Sequence, residues 1–587
     1  MKKKLHKKMG KRGRLIFIFS SLILFYLFLM GRLFYIMIEK GSAYKDMAVS
    51  QRTHEIPITP KRGNILDRNG QVLALSADVY RIDADPSLLQ VTIKNKDLNI
   101  DEISKNLANV LNLDTNDILK KLNSKDSAGN ALKFVSLKRQ VEKAPGDSIK
   151  ALKLNGIIVS QDTKRYYPNK NFMAQVLGLT NMEGKGISGV ELSYDKVLTG
   201  EQGTQRLERD AKGNVLPNTD TSVQPVNGKD VVLTIDERIQ EIAEKAADNA
   251  LQANKASSVN IMVMNPKNGE ILAMASKPDF DPNNPNSAAS SNKNPQDLWI
   301  NRSVENIFEP GSIYKVITSA AAMENNALSD NDKFNDTGSI KVANTIIYDD
   351  DKKNRGIQSF SDILKNSSNV GFIQLAQKLG KDNLYNYSKL VGIGDKTGVD
   401  LPKESSGIIK DLKNIGPVDL ATMSFGHGVA VTQVQYMAAF NAVANGGTWI
   451  KPHIMKDIQH KDGDNKVVDN EFSDFGKKTV MSGGNSAKLR NYLEEVVTGG
   501  TAVATYIDGF HIAGKTGTAE RVDPIKGGYQ EGKYVSSFVG MAPASDPVVT
   551  LIVTIDEPNS SNYFAAQTAV PVAKELFTGI SNYITIK

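Results

Sequence analysis

The residues best suited to chemistry are a serine and a lysine three positions apart, Ser312 and Lys315. Positions i and i+3 lie on one face of a helix, so the lysine amine can hydrogen-bond the serine hydroxyl. A serine hydroxyl is a weak nucleophile until a base removes its proton, and a desolvated, neutral lysine can do this without a histidine. Pro310 and Gly311 suit a helix start just before Ser312. The pair therefore predicts a serine acyl-transfer centre at the beginning of a helix.

The same spacing occurs elsewhere, so it does not identify the site by itself. Other Ser-x-x-Lys strings begin at Ser42, Ser193 and Ser290. They lie beside an apolar N-terminal segment, ahead of a polar linker, and in a polar loop without helical periodicity. Ser312 differs because two further strings follow it in order. These are Ser367-Ser368-Asn369, fifty-five residues later, and Lys515-Thr516-Gly517-Thr518, at the end of a strand-like run.

Each string also has a purely structural interpretation. The first could be a solvated helix face, the second a helix cap or a turn, and the third a strand that ends in a turn. The order and spacing of all three favour the catalytic interpretation, because Ser-x-x-Lys, Ser-Ser-Asn and Lys-Thr-Gly each occur more than once in the chain.

The composition argues against a metal site and against a cysteine nucleophile. The sequence contains no cysteine and six histidines, none in a His-Glu-x-x-His string. This excludes a thiol nucleophile and thiolate metal sites, and we predict neither a cofactor nor a metal. The net charge of the chain is +7. The first fourteen residues alone carry eight positive charges and contain no acidic residue. The rest of the chain therefore carries a net charge of −1 and offers no basic surface for nucleic acid.

The basic run precedes an apolar segment long enough to cross a membrane. Residues 15–30 contain no charge, and residues 33–38 continue the apolar character after Gly31 and Arg32. About 20 apolar residues span a bilayer core, whereas a cleaved signal peptide has a shorter apolar stretch and a small-residue cleavage site. We predict a cytoplasmic basic tail over 1–14 and an uncleaved transmembrane helix over 15–38. Cationic flanks stay in the cytoplasm, so the remainder is expected outside.

Two domains are predicted after the membrane segment. In the first, Ile103, Leu107, Val110 and Leu111 mark one helix face. Residues 213–230 are polar with interspersed proline and glycine, which is typical of a linker. We therefore place an N-terminal domain at 39–225 and a catalytic domain at 226–587.

The catalytic domain has strand patterns at both ends and helical patterns between them. Thr234 and Glu237 have capping-box spacing for a helix through about Ala253, and the runs 261–264 and 271–275 predict a hairpin. Three strand-like runs and an amphipathic helix follow at 510–513, 535–541, 548–555 and 565–577. This order predicts an α+β domain whose sheet pairs its first and last strands.

Taken together, the three catalytic strings resemble those of penicillin-binding proteins and serine β-lactamases. Further strings resemble the class B, monofunctional transpeptidases: R-G-N-I-L-D-R-N-G from Arg62, R-Y-Y-P from Arg165, Gly186-x-x-Gly189-x-Glu191, F-E-P-G-S ending at Ser312, S-F-G-H-G from Ser424 and K-T-G-T-A-E from Lys515. The resemblance covers essentially the whole chain, and the combination is far more specific than any one string.

The resemblance implies an α+β multidomain protein with a single N-terminal transmembrane helix. The 39–225 region would be an elongated pedestal or dimerisation domain. The 226–587 region would have the β-lactamase/transpeptidase-like fold, an antiparallel sheet flanked by helices. The implied activity is that of a peptidoglycan D,D-transpeptidase, which forms an acyl-enzyme from the D-Ala-D-Ala end of a stem peptide and is trapped covalently by β-lactams.

The same resemblance suggests a role for each site residue. Ser312 would be the nucleophile, Lys315 the acylation base and Ser367 a proton relay to the leaving group. Asn369 would bind the substrate amide and help to hold Lys315, and Lys515 would supply positive potential. Thr516 and Thr518, with Gly517 between them, would receive the terminal carboxylate, and the backbone N–H groups of Ser312 and Thr518 would form an oxyanion hole.

The implied partners are nascent or lipid-linked peptidoglycan, β-lactam antibiotics and a membrane glycosyltransferase of the cell-wall complex. Alternatives left open are a D,D-carboxypeptidase, a β-lactamase-type hydrolase and a non-catalytic cell-wall scaffold. His427 stands where glutamine is usual in the family, and a structural role in its loop is favoured. For His511 we expect a strand position, packed near the sheet.

Overall fold

The computed structural model describes residues 10–208, 221–287, 294–463, 465–523, 527–559 and 561–586. Residues 1–9 of the predicted basic tail and 213–220 of the predicted linker lie outside the described residues. The chain forms two compact units, one from Met1–Pro60 with Gly200–Asn227 and one from Lys61–Thr199 with Gly228–Lys587. Residues 61–199 thus belong to the same compact unit as the catalytic strings, whereas the sequence analysis grouped them with residues 39–60 and 200–225.

The first unit begins with the apolar segment. Helix α1 (Lys11–Phe34) continues as a π-helical turn over Tyr35–Glu39, and helix α2 (Gly41–Arg52) and strand β1 (Thr53–Ile58) follow. The most apolar 18-residue window of the helical stretch Lys11–Glu39 has a mean hydropathy of 2.1 and is fully exposed. By length and composition it is able to cross a membrane, which agrees with the predicted span.

Residues 61–199 form a sheet covered by short helices. The elements are β2 (Ile65–Leu66), β3 (Val72–Ala84), α3 (Pro86–Lys96), α4 (Ile100–Leu111), α5 (Thr115–Leu122), β4 (Val135–Val141), α6 (Lys143–Ala151), β5 (Ile157–Tyr166), α7 (Ala174–Leu177), α8 (Gly189–Ser193) and α9 (Asp195–Thr199). Strand β3 pairs antiparallel with β2, β4 and β5. On α4, Ile103, Leu107 and Leu111 are buried and Val110 is half-buried, so the predicted helix face is confirmed.

The first unit is completed by strands β6 (Gly203–Glu208) and β7 (Thr221–Val223), which form a three-stranded antiparallel sheet with β1. The second unit resumes with β8 (Asp230–Leu233). Strand β8 lies parallel to β2, so the first strand after Gly228 extends the sheet formed by residues 61–199. This pairing joins the two segments of the second unit.

Helix α10 (Glu237–Asn254) follows β8, and its N-terminus differs from the prediction. The N-cap is Asp236, whose side chain accepts a hydrogen bond from the Arg238 N–H at 3.1 Å. Thr234 is buried, and its hydroxyl donates to the Ile271 carbonyl at 2.7 Å. The predicted Thr234–Glu237 capping box is therefore wrong, because Thr234 still belongs to the strand-to-helix connection that packs on the sheet.

The main sheet has five antiparallel strands in the order β10-β9-β23-β22-β21. Its strands are β9 (Ser258–Met264), β10 (Ile271–Lys277), β21 (Ala513–Val522), β22 (Tyr529–Ala542) and β23 (Val549–Asp556). The predicted hairpin β9–β10 is confirmed, and the predicted pairing of the first and last strands is found between β9 and β23. Lys515 lies near the start of β21, not at the end of a strand as predicted, because 510–512 precede the strand.

Further helices flank this sheet; all but the last of them lie between β10 and β21, and the last follows β23. They are α11 (Arg302–Glu305), α12 (Lys315–Glu324), α13 (Phe360–Lys365), α14 (Asn369–Leu379), α15 (Lys381–Leu390), α16 (Pro417–Met423), α17 (Gln433–Ala444), α18 (Gly483–Gly499) and α19 (Ala569–Ile580). The closing helix α19 begins four residues later than predicted and packs with α10 against the sheet.

Short strands connect these helices. They are β11 (Phe334–Asp336), β12 (Ser339–Val342), β13 (Thr345–Tyr348), β14 (Gly356–Gln358), β15 (Ile408–Ile409), β16 (Val429–Ala430), β17 (Thr448–Trp449), β18 (Met455–Asp462), β19 (Asn465–Glu471) and β20 (Lys478–Thr479). Strand β18 pairs with β8 and extends the sheet of residues 61–199. The second unit is thus an α+β structure with an antiparallel five-stranded sheet flanked by helices.

Candidate active site

Ser312 lies in a 3₁₀ turn, Gly311–Tyr314, that leads directly into helix α12. Gly311 has φ +55, and a Cβ there would lie 3.1 Å from the Thr518 carbonyl oxygen. A glycine is therefore needed where the turn comes close to strand β21. This close approach brings the serine beside the Lys-Thr-Gly string, although more than two hundred residues separate them in the chain.

Lys315 is fully buried beneath Ser312, with its Nζ 3.0 Å from the Ser312 Oγ. The amine also donates to the Ser367 carbonyl oxygen at 2.6 Å and to the Asn369 Oδ1 at 2.8 Å. Burial lowers the pKa of Lys315 to about 8, while the carboxylate of Asp350 acts in the opposite direction. Near neutral pH this lysine is still mostly protonated, but its neutral, proton-accepting fraction is much larger than that of a lysine in water.

Ser367 connects helices α13 and α14 in a left-handed backbone conformation, with φ +58. Its hydroxyl lies 3.2 Å from the Lys315 Nζ and 2.9 Å from the Lys515 Nζ. Ser368, in contrast, caps α14 by accepting from the Gly371 N–H at 2.9 Å. The cap interpretation of this string thus applies to Ser368, whereas the Ser367 side chain turns toward the two lysines.

Lys515 is the second buried amine of the site. Besides the Ser367 hydroxyl, it donates to the Thr516 carbonyl oxygen at 3.1 Å. Burial holds the pKa of Lys515 well below its usual value, and the nearby charge of Lys315 lowers it further. With two amine donors on one hydroxyl oxygen, the Ser367 proton is left free to point into the cleft.

A cleft of about 200 Å³ opens beside Ser312. The residues that line it include Ser312, Ser367, Thr501, Phe564 and the segment 516–518. The Thr516 hydroxyl donates to the Thr501 hydroxyl at 2.8 Å, and the Thr518 hydroxyl accepts from the Ala565 N–H at 3.2 Å. Strand β21 is an edge strand, so a substrate in extended conformation is able to pair along it.

The sequence analysis missed the acidic run that supports this site. Asp349 accepts hydrogen bonds from the Asn369 and Val370 N–H groups, at 2.6 and 3.0 Å. Asp350 lines the cleft and accepts from the Asn369 Nδ2 at 3.3 Å. Burial raises the pKa of Asp349 to about 6, and a hydrogen bond to Asp336 acts in the same direction. The sequence feature that could have predicted these acidic residues is the run of three consecutive aspartates, 349–351, shortly before Ser367.

The two histidines near the strings have different surroundings. His427 is half-buried between the rings of Phe425 and Tyr529, at centroid distances of 5.2 and 5.7 Å, and burial lowers its pKa to about 4. His511 precedes β21 and is exposed, with its Nδ1 2.8 Å from Glu494 Oε1. The expectation of a packed strand position for His511 is wrong, because the strand starts only at Ala513.

The strings that begin at Arg62, Arg165 and Gly186 also meet in the structure, at the fully buried carboxylate of Glu191. The Arg62 Nε lies 2.7 Å from the Glu191 Oε2, and the Arg165 Nε lies 2.6 Å from the Oε1. The Arg62 Nη1 reaches Asp195 at 2.8 Å. These strings therefore form the interior of the 61–199 region, and they are not part of the cleft.

Comparison with known families agrees with this geometry. Residues 259–578 match the model of the penicillin binding protein transpeptidase domain, and residues 57–233 match the model of the penicillin-binding protein dimerisation domain. The two matches together cover most of the chain, and the first contains all eight site residues.

The chain is also similar to named relatives over nearly its full length. It is 36% identical over 563 residues to "Stage V sporulation protein D" of Bacillus subtilis, covering 96% of this chain and 84% of the relative. It is 30% identical over 572 residues to "Peptidoglycan D,D-transpeptidase FtsI" of Escherichia coli, and the match covers 95% of this chain and 90% of that relative. The crystal structure of penicillin binding protein 2X from Streptococcus thermophilus superposes with a TM-score of 0.70 at 27% identity. The superposition covers 90% of this chain and 80% of that chain.

Proposed function

This chain belongs to the class B penicillin-binding proteins and is a peptidoglycan transpeptidase, and we propose that it works through an acyl-enzyme on Ser312. The observation that carries the proposal is the convergence of two buried lysines on one hydroxyl. Lys315 and Lys515 both lie within 3.2 Å of the Ser367 Oγ, and Lys315 also touches the Ser312 Oγ. This arrangement suits a proton shuttle between the nucleophile and a leaving group.

In the acylation step, the Ser312 Oγ attacks the penultimate carbonyl of a D-Ala-D-Ala stem peptide. Neutral Lys315 takes the hydroxyl proton as the new C–O bond forms. The Ser367 hydroxyl gives its proton to the amine of the departing D-alanine and regains one from Lys315, while the C–N bond breaks. The low pKa of Lys315 supports its role as the base.

The remaining site residues bind and polarise the substrate. Asn369 has its Oδ1 on Lys315 and its Nδ2 toward Asp350 at the cleft, which suits contact with the substrate amide. Thr516 and Thr518, with Gly517 between them, receive the terminal carboxylate beside Lys515. The N–H groups of Ser312 and Thr518 stabilise the oxyanion, and one such donor is typically worth about 3–4 kcal/mol.

In the second step, an amine of a neighbouring stem peptide attacks the acyl-enzyme and forms the cross-link. Hydrolysis by water, as in a carboxypeptidase or a β-lactamase, is the alternative. In the described part of the chain, Lys315 is the only side chain hydrogen-bonded to Ser312. This supports aminolysis over hydrolysis, because an efficient hydrolase needs a further base to activate water.

The apolar helix α1 supports a membrane-anchored protein. We infer that the N-terminus is cytoplasmic and the cleft extracytoplasmic, because the basic residues lie on the N-terminal side of the helix. The proposed partners are nascent peptidoglycan and a membrane glycosyltransferase. The proposed domains remain residues 39–225 for the pedestal and dimerisation domain and 226–587 for the transpeptidase domain.

The test is covalent labelling of the full chain in detergent with a fluorescent penicillin. We expect a labelled band on a denaturing gel that is stable for hours and is lost in Ser312→Ala. Ser193→Ala is the matched control, because Ser193 begins another Ser-x-x-Lys string outside the cleft, and it should label normally. Labelling that survives in Ser312→Ala would refute the proposed nucleophile, and absence of labelling in folded wild-type protein would favour the scaffold alternative.

A further inference from the structure

Asp336, the last residue of strand β11, is a fully buried carboxyl group that the proposed chemistry does not use. Its Oδ1 accepts a hydrogen bond from the Gly338 N–H at 3.0 Å. Its Oδ2 is shielded from solvent and has no hydrogen-bond partner among the described residues, and the Arg355 Nη1, 3.5 Å away, does not form a hydrogen bond to it. A buried carboxylate oxygen without a donor is costly, so its surroundings must supply a proton.

Asp349 is the second buried carboxyl group at this place, and it approaches the same guanidinium. The Arg355 Nη1 lies 3.5 Å from the Asp349 Oδ2, as it does from the Asp336 Oδ2. The other oxygen of Asp349 accepts from the Asn369 and Val370 N–H groups, at 2.6 and 3.0 Å. Ionised carboxylates are acceptors alone, so the two side chains are able to hydrogen-bond to each other only when one of them is protonated.

The charges around this pair are unbalanced. The groups concerned are Lys315 on α12, Asp350 and Asp351 in the turn after β13, and Arg355 before β14, while α14 contributes its first N–H groups and the Ser368 hydroxyl. The Arg355 Nη2 is already paired with Asp351 at 2.7 Å. One guanidinium therefore faces three carboxyl groups, and such a site is relieved when one of them takes up a proton.

We propose that Asp336 and Asp349 share one proton, and that Asp336 is thereby a positioning residue for the catalytic turn at Ser367. With the proton in place, the hydrogen bond between the two carboxyl groups holds Asp349 against the N–H groups that start α14. Ser367 and Asn369 lie in that turn, in contact with Lys315. The inference rests on the proposed function, since it concerns how the same residues are held for acylation.

The shared proton makes this support dependent on pH. Burial and the hydrogen bond to Asp336 raise the pKa of Asp349 to about 6, so the pair takes up its proton as the pH falls through that value. Above it both carboxyl groups are ionised, and both negative charges stabilise the ammonium form of Lys315. The proton therefore acts twice: it adds a hydrogen bond behind the turn, and it favours the neutral, reactive form of Lys315.

The test compares Asp336→Asn with Asp336→Leu in the full chain in detergent. Asparagine keeps an acceptor for the Gly338 N–H and places an amide donor where the shared proton lies, at every pH. Leucine removes the same negative charge but offers no donor to Asp349. We measure the second-order rate constant for acylation by fluorescent penicillin from about pH 5 to about pH 9, the range that contains both ionisations.

The expected result is a ratio of rates that changes with pH. Asp336→Asn should match the wild-type protein below about pH 5, where the wild-type pair also carries one negative charge. Near about pH 7 it should react about threefold faster, because one carboxylate fewer lowers the Lys315 pKa by about half a unit. Asp336→Leu should be about fivefold or more slower than Asp336→Asn throughout, because Asp349 loses its donor.

Asp332→Asn is the matched control and should keep the wild-type profile. Asp332 lies just before β11 and is paired with Lys378 at 2.6 Å. A constant ratio between Asp336→Asn and wild type, or a slower Asp336→Asn near about pH 7, would overturn the inference while the activity stands. Equal rates for Asp336→Leu and Asp336→Asn would also overturn it, and if the leucine variant does not fold, the asparagine profile still decides. Failure of the folded wild-type protein to bind penicillin would instead count against the proposed function.

Discussion

At the scale of single residues, the site depends on the protonation of Lys315. Its amine is excluded from water, and this burial favours the neutral form more than water would. Asp350 opposes this effect from the cleft wall. The reactivity of Ser312 is therefore expected to follow the balance between burial and the nearby carboxylates, of which Asp350 acts most strongly.

This balance predicts the pH dependence of acylation. Because neutral Lys315 is the proposed base, the second-order rate constant for acylation by penicillin should rise with pH and level off above about 8. Removing the charge of Asp350 destabilises the ammonium, so Asp350→Asn should shift the midpoint to lower pH. The pH–rate profile of the full chain, followed by stopped-flow fluorescence, measures the midpoint in the wild-type protein and its shift in Asp350→Asn.

Asp351→Asn is the control for this prediction. Asp351 pairs with Arg355 at 2.7 Å, and its charge is not among the main causes of the shift in the Lys315 pKa. Its profile should match that of the wild-type protein. A midpoint that moves upward in Asp350→Asn would contradict the assignment of Lys315 as the base.

At the scale of secondary-structure elements, the turn between α13 and α14 decides whether the site exists. It holds Ser367 in a left-handed conformation and starts α14 at Asn369. The carboxylate of Asp349 fixes this turn through two backbone N–H groups of the helix start. An acceptor at a helix N-terminus is favourable both as a hydrogen-bond partner and through the helix dipole.

We therefore expect Asp349→Ala to weaken both stability and reactivity. Two buried N–H groups lose their acceptor, which should lower the free energy of unfolding by about 1–3 kcal/mol. The acylation rate should fall as well, because Ser367 and Asn369 are no longer held against Lys315. Urea denaturation and penicillin labelling of the full chain measure the two effects, and Asp351→Ala should change neither. A normal acylation rate in Asp349→Ala would show that the turn holds without this carboxylate.

At the scale of the whole molecule, residues 61–199 and the catalytic segment form one compact unit. The parallel pairing of β2 with β8 joins them within one sheet. The 61–199 region has its own interior, in which Glu191 neutralises Arg62 and Arg165. Loss of order in that interior should therefore affect the stability of the entire unit.

Glu191→Gln tests this coupling. It leaves two buried guanidinium groups without their main counter-charge, and breaking a buried pair in this way typically costs about 3–5 kcal/mol. We expect a lower unfolding temperature for the complete second unit, measured by calorimetry of the full chain. Glu183→Gln, an exposed partner of Arg139, should leave the transition unchanged. A separate early transition with an unaltered main peak would mean that the two segments unfold independently.

The sequence by itself determined which residues are candidates for the chemistry, and much of the local structure. The Ser312–Lys315 spacing, the order of the three strings and the apolar span depend on residue types and on short periodicities, which are local properties. The helix face of α4 and the β9–β10 hairpin followed for the same reason. The capping box and the start of β21 were misplaced, because residues at element ends are decided by what packs against them.

Only the tertiary structure decided how these pieces meet. That Lys515 and Lys315 share the Ser367 hydroxyl, that Asp349 holds the Asn369 turn, and that 61–199 joins the catalytic segment are contacts between residues far apart in the chain. Such contacts follow from sheet pairing and from helix packing, neither of which leaves a pattern in neighbouring residues.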